Sequence, residues 1–145
     1  MDESLVRKYF SGDRFAEYLG IELLEVSPGR ARAKLAIDER HLNGVGIVHG
    51  GAIFALADLA FAVASNSHGQ IALGINVSIA YHKGVSSGTL YADAEETAFN
   101  PKLATYQIRI SNEQDDTLAS FQGTVYRKRE TLDQIVHSSA HQAQN

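Results

Sequence analysis

The chain has 145 residues, with 44% hydrophobic and 21% charged content, a net charge of -4 and no cysteine. That length suits one globular domain with a sizeable core. The negative balance argues against a broad nucleic-acid-binding face, and the missing cysteine excludes disulfides, a thiol nucleophile and thiolate metal sites.

The N-terminus, MDESLVRKYF, opens with acidic residues and has no long apolar core, so it does not read as a secretory signal. The longest nearly apolar run, Ala52 to Ala64, is shorter than the ~20 residues that span a bilayer. The expectation is a cytoplasmic protein without a membrane partner. Within residues 2–19, Leu5, Val6, Tyr9 and Phe10, then Phe15, Tyr18 and Leu19, are spaced as short amphipathic helices broken near Ser11-Gly12. GIELLEV predicts a strand and Ser27-Pro28-Gly29 a turn. In RARAKLAID, Arg30, Arg32 and Lys34 alternate with Ala31, Ala33 and Leu35, so this strand has one wet face and closes a hairpin.

A loop, ERHLNGVGIV, then leads into a long helix that ends near Ser65–Gly69. Four strand-like segments follow, at about 71–83, 88–99, 103–112 and 117–129, and their succession predicts antiparallel, meander-like pairing. Residues 1–129 thus read as one α+β domain with a helical segment at 1–19, an antiparallel sheet packed on a central helix. Residues 130–145 read as a frayed tail. His137 and His141 stand i, i+4 apart, which suits a metal on a helix, but no carboxylate ligand accompanies them and the tail reading is preferred.

The helix from Ala52 to Ala64 is rich in alanine and leucine, which favour helix, and its one ionisable residue is Asp58. Phe54, Asp58 and Phe61 lie at i, i+4 and i+7 and share a face. A carboxylate between phenylalanines loses water, so it needs a partner or its pKa rises. Such perturbation points to function as well as to a structural Asp. The preceding loop, Asn43-Gly44-Val45-Gly46-Ile47-Val48-His49-Gly50-Gly51, weights the functional reading. Gly50-Gly51 stands where the helix begins, and the first N–H groups of a helix have no intrahelical partner and sit at its positive end. They suit an oxyanion formed from a carbonyl, although Gly-Gly alone reads more readily as a turn. The loop lacks the Lys-Ser/Thr of a P-loop. Asp58 lies some ~12 Å along the helix from Gly50. One helix does not bring both to one carbon, whereas antiparallel helices of a two-fold dimer set Asp58 of one subunit opposite Gly50 of the other.

The pattern N-x5-HGG-x-x-F-x-L-x-D, formed by Asn43, His49, Gly50, Gly51, Phe54, Leu56 and Asp58, together with Ser65-Asn66, GINVSIAYHK and GTVYRK, resembles the hotdog-fold acyl-CoA thioesterases of the phenylacetic-acid-degradation (PaaI-type) family over residues 15–129. The resemblance implies a sheet wrapped round the long helix. It also implies homodimers that join their sheets and pair into tetramers, with active sites at the dimer interface. Asp58 would activate water or attack the thioester, Gly50 N–H would polarise the carbonyl, Asn43 would position near the same oxygen, and His49 would shape the loop. Gly51, Phe54, Phe61, Tyr81 and Lys83 would meet the substrate. CoA is part of that substrate, and neither a metal nor another cofactor is expected. Where the family commonly has Arg-Pro after the strand tyrosine, this chain has His82-Lys83-Gly84, which keeps a charge without bidentate geometry. Lys102, Arg127, Lys128 and Arg129 are further candidates for the CoA phosphates. The alternatives are a non-catalytic acyl or CoA binder, and a hotdog hydratase or dehydratase, whose chemistry wants a His–acid pair at the α,β-carbons.

Overall fold

A computed structural model describes residues 1–142, with side chains to residue 139. The elements are α1 (Glu3–Phe10), α2 (Arg14–Leu19), β1 (Ile21–Ser27), β2 (Arg30–Ala36), a 3-10 turn at Glu39–His41, α3 (Gly50–Asn66), β3 (Gln70–Tyr81), β4 (Thr89–Phe99), β5 (Leu103–Ser111), β6 (Thr117–Thr131) and α4 (Leu132–Gln142). The six strands form one antiparallel sheet in the order β1-β2-β4-β5-β6-β3, and α3 packs against every strand. This is the α+β arrangement of a sheet around a central helix.

The hairpin forms as its alternation predicts. Arg30, Arg32 and Lys34 stay at the surface while Ala31, Ala33 and Leu35 are buried. Gly29 carries the turn at φ +72°, a conformation that costs glycine no Cβ clash. Across β2 and β4, the registered pairs Arg30–Glu95 and Arg32–Asp93 meet on the outer face, while Ala33–Ala92 and Leu35–Leu90 meet on the inner one.

The predicted meander holds for β4, β5 and β6 but not for β3, which lies beyond β6 at the sheet edge. The cause is the helix. Asn66 at the end of α3 binds the Ala72 backbone, accepting its N–H at 2.9 Å and donating to its C=O at 3.1 Å. This aims β3 back along the helix until Tyr81 reaches Gly50. Residues 82–88 then pass the start of α3, where Val48 N–H donates to the Val85 carbonyl at 2.9 Å. β4 therefore starts on the other flank, beside β2.

Small residues let helix and sheet approach closely: Ala57, Ala60 and Ala64 on α3, and Ala33 and Ala92 on the strands, are essentially inaccessible. Phe61 is the exception in size. Its ring enters a slot left by two strand glycines, where a Cβ on Gly123 would lie 2.5 Å from Cζ and one on Gly74 3.1 Å from Cε1. Phe54, Tyr106 and Phe121 complete this aromatic cluster.

The C-terminal stretch differs from the frayed tail expected. β6 runs to Thr131, and α4 is pinned by buried Leu132, whose N–H donates to the Gly69 carbonyl at 2.9 Å. Residues 143–145, and the side chain of His141 from the expected metal pair, lie outside the described residues. His137 Nδ1 sits 3.1 Å from Asp133 Oδ1.

Candidate active site

The loop before α3 is anchored by His41, a residue the sequence reading passed over. It is buried, accepts the Asp38 N–H on Nδ1 at 2.9 Å, and therefore carries its proton on Nε2, which donates to the Leu19 carbonyl at 2.7 Å. Its own carbonyl receives the His49 N–H at 2.7 Å. The Asp38-x-x-His41 spacing, a capping box, is the only sequence trace of this role.

Asn43 folds the loop tip. Its Oδ1 accepts the N–H groups of Val45 and Ile47 at 3.0 and 3.1 Å, and its backbone N–H donates to the Ile47 carbonyl at 2.7 Å. Both oxygen interactions are internal to the loop, so Nδ2 is the end of Asn43 able to act on a ligand.

His49 is the N-cap of α3, and its Nδ1 accepts the Gly51 N–H at 2.8 Å. A ring nitrogen that accepts cannot hold the proton, so neutral His49 keeps it on Nε2. The Gly50 carbonyl receives the Tyr81 hydroxyl at 3.0 Å. Ala52 and Ile53 donate to the His49 carbonyl. Among the described residues, the Gly50 N–H alone at this turn has no acceptor. His49, Gly50, Gly51 and Tyr81 are thus brought together at the positive end of α3, with Asn43 at the tip of the loop that leads into it.

Asp58 is not part of that cluster within one chain. It lies on an uncovered stripe of the helix with Gly51, Ala55 and Ala62, so α3 is not enclosed on every side. Asp58 is exposed to solvent, yet enough protein lies around its carboxyl to desolvate it. Its pKa is raised, first by desolvation and then by the like charge of Asp13 at the start of α2. Asp13 carried no sequence signal beyond its capping position. Next to this stripe, Phe10, Ala16, Ile21, Leu23 and Leu59 line a recess of about 260 Å³, with Asp13 at its rim. A larger concavity, about 990 Å³, lies on the outer sheet face. It takes no lining residue from α3 or the loop, and four of its charges pair across it as Arg30–Glu95 and Arg32–Asp93.

The residues expected to meet the substrate fall in different surroundings. Phe61 is 2% exposed and belongs to the core, because the Gly74–Gly123 slot draws it inward, and Phe54 is half-buried with its ring edge on Phe121. Lys83 is exposed and paired with Asp116 at 2.8 Å, which lowers the pKa of that carboxylate. Of the other basic candidates, Arg127 is buried, bonded to Gln70 and the Asn100 carbonyl, and stacked 3.9 Å over Phe99, so it is structural. Among the described residues, no three His, Asp or Glu side chains gather as a metal would need, and no helix is long and apolar enough to cross a membrane.

The sequence model of the thioesterase superfamily matches residues 45–119, spanning the loop, α3 and the first strands after it. A relative from Archaeoglobus fulgidus is 43% identical over 122 residues, covering 83% of this chain and 79% of the relative. The acyl-coenzyme A thioesterase PaaI of Escherichia coli is 34% identical over 119 residues, covering 81% and 85%. The solved structure of the E. coli PaaI protein superposes with a TM-score of 0.85 at 32% identity, covering 88% of this chain and 94% of that one. Sequence and fold agree over nearly the whole of that relative, and this chain belongs to the thioesterase superfamily as a PaaI-type hotdog thioesterase.

Proposed function

We propose that the protein hydrolyses the thioester of an aryl- or medium/long-chain acyl-CoA to free acid and CoA, at a site shared by two copies of the chain. The observation that carries this reading is the uncommitted Gly50 N–H at the start of the helix that presents Asp58 on its open stripe. That N–H is a preorganised donor for a carbonyl oxygen gaining charge, with Asn43 Nδ2 as a second donor. The names of the E. coli acyl-coenzyme A thioesterase PaaI and of the proofreading thioesterase EntH of Cronobacter turicensis, 29% identical over 101 residues, support the substrate class.

Eight residues of helix put Asp58 some ~12 Å from Gly50 along the axis, so the carboxylate comes from a partner. Edge strand β3 supports this, since it exposes Leu73, Ile75 and Val77 on an edge left unpaired among the described residues. Unpaired apolar edges are templates for another strand. In the water route, Asp58 takes a proton as the water oxygen bonds the thioester carbon. The oxyanion rests on Gly50 N–H, the C–S bond breaks, and the proton passes to the departing thiolate. In the nucleophilic route, the Asp58 carboxylate displaces CoA as thiolate, and water then hydrolyses the mixed anhydride. The recess beside Leu59 suits the acyl group, and Lys83 can exchange its surface pair with Asp116 for a CoA phosphate.

Thiol release across a panel of aryl- and alkyl-CoA thioesters tests the assignment. The wild type should turn over at least one class, and Asp58→Asn should lose roughly 10²–10⁴-fold in kcat with its fold intact. Near-normal turnover by that variant would remove Asp58 from the chemistry, and no thiol release by the wild type would sink the hydrolase reading and leave a binding protein.

A further inference from the structure

The peptide between Gly50 and Gly51 is held at both ends by side chains. Its C=O receives the Tyr81 hydroxyl at 3.0 Å, and its N–H donates to His49 Nδ1 at 2.8 Å. Tyr81 also packs its ring on the Gly50 α-carbon, where a Cβ would lie 3.2 Å from both Cζ and the hydroxyl oxygen. Glycine at the first helical position has wide backbone freedom, and the first turn has few bonds of its own to restrain it. With the following peptide plane fixed and the α-carbon pressed by the ring, the direction of the Gly50 N–H follows.

We propose that Tyr81 is a positioning residue for the thioester site, acting through Gly50 to aim its N–H at the substrate carbonyl. This rests on the reading of Gly50 as the oxyanion donor. Tyr81 does not bond the reacting atoms. It differs from a substrate contact in working through its hydroxyl on the backbone, and a phenylalanine would keep the ring and lose that bond. Tyr81 is the last residue of β3, is 52% exposed, and is registered against Ala119 of β6. The alignment of the oxyanion donor is thereby tied to the end of the edge strand, and disturbing that strand would reach the donor without touching the loop.

Tyr81→Phe tests the proposal, because it removes one oxygen from a half-exposed ring and spares the core. The expected result is a kcat lower by about ten-fold, less than the loss on removing an oxyanion donor outright, with KM changed less than about two-fold. Backbone amide NMR should show shifted Gly50 and Gly51 resonances and faster exchange of the Gly51 amide. A kcat within two-fold of wild type, or a raised KM at unchanged kcat, overturns the proposal, the latter making Tyr81 a binding residue. Unmoved glycine amides overturn it too, and that readout needs no turnover. If Asp58→Asn retains activity, the carboxylate assignment fails by itself, whereas moved glycine amides with a lowered kcat in Tyr81→Phe still support the clamp.

Discussion

Asp58 carries two costs that can be measured apart. Burial is the larger cause of its raised pKa and the charge of Asp13 the smaller. In the proposed role, as base or as nucleophile, Asp58 must be ionised, so activity should rise with pH through its pKa, and the acid limb of kcat/KM should lie above the ordinary aspartate value. Asp13→Asn removes the opposing charge, so the limb should move to lower pH, with burial still holding it up. Asparagine caps helices about as well as aspartate, so the α2 cap, with its 2.9 Å bond from the Ala16 N–H, should survive and the melting temperature should hold. An unmoved limb would remove Asp13 from the site. Stability carries the opposite sign from activity. The folded chain binds the Asp58 proton more tightly than the unfolded one, so stability is lost as pH rises from the unfolded pKa through the raised folded one. Asp58→Asn should therefore be as stable as wild type or more stable at pH 7, with the difference fading as the pH falls below the ordinary aspartate value. Thermal melts at several pH values would show it.

At the scale of elements, α3 and its sheet depend on one large ring among small residues. The Gly123 α-carbon leaves no room for a methyl group, since its Cβ would meet Phe61 ring carbons at 2.5 to 2.8 Å. Gly123→Ala should cost about 1–3 kcal/mol, as overpacking does, read as a lower urea midpoint at unchanged slope. Phe61→Leu in the same chain should return part of it, because the clash is with the ring. This slot also explains why Phe61 is buried while Asp58, on the same predicted face, is exposed. The i, i+4, i+7 rule put Phe61 beside Asp58, but the decision between surface and core was made by Gly74 and Gly123, far away in sequence. The β1–β2 hairpin was legible because alternation and a Pro-Gly turn are local. The place of β3 was not, because residues 82–88 look like a hairpin turn and nothing local says that they pass round a helix end. The buried anchor of α4 is Leu132, helped by contact with α1 and a reciprocal Thr131–Gln134 cap, and one buried residue is too slight a signal for periodicity to carry.

Across the whole molecule, the loop motif made Asn43, His49, Gly50 and Asp58 readable as a set, while His41, Asp13 and the action of Tyr81 on Gly50 depend on partners that only folding supplies. The same geometry separates what the motif unites, since Gly50 and Asp58 are about two turns apart on one rigid helix. A shared site has a consequence that a one-chain site lacks. Asp58→Asn lacks the carboxylate, and Gly50→Val, whose side chain must collide with Tyr81, disables the donor. Each should be nearly inactive alone. After co-refolding, half of the dimers are mixed, and each mixed dimer has one site with both native residues and one with neither. Activity should recover to roughly a quarter of wild type, as two-fold pairing of interface sites requires. Separately folded variants mixed without subunit exchange should show no recovery, which controls for contaminating activity. If co-refolded mixed dimers, confirmed by native mass spectrometry, stay inactive, then Asp58 and Gly50 work within one chain and the helix must present them to the substrate by another route.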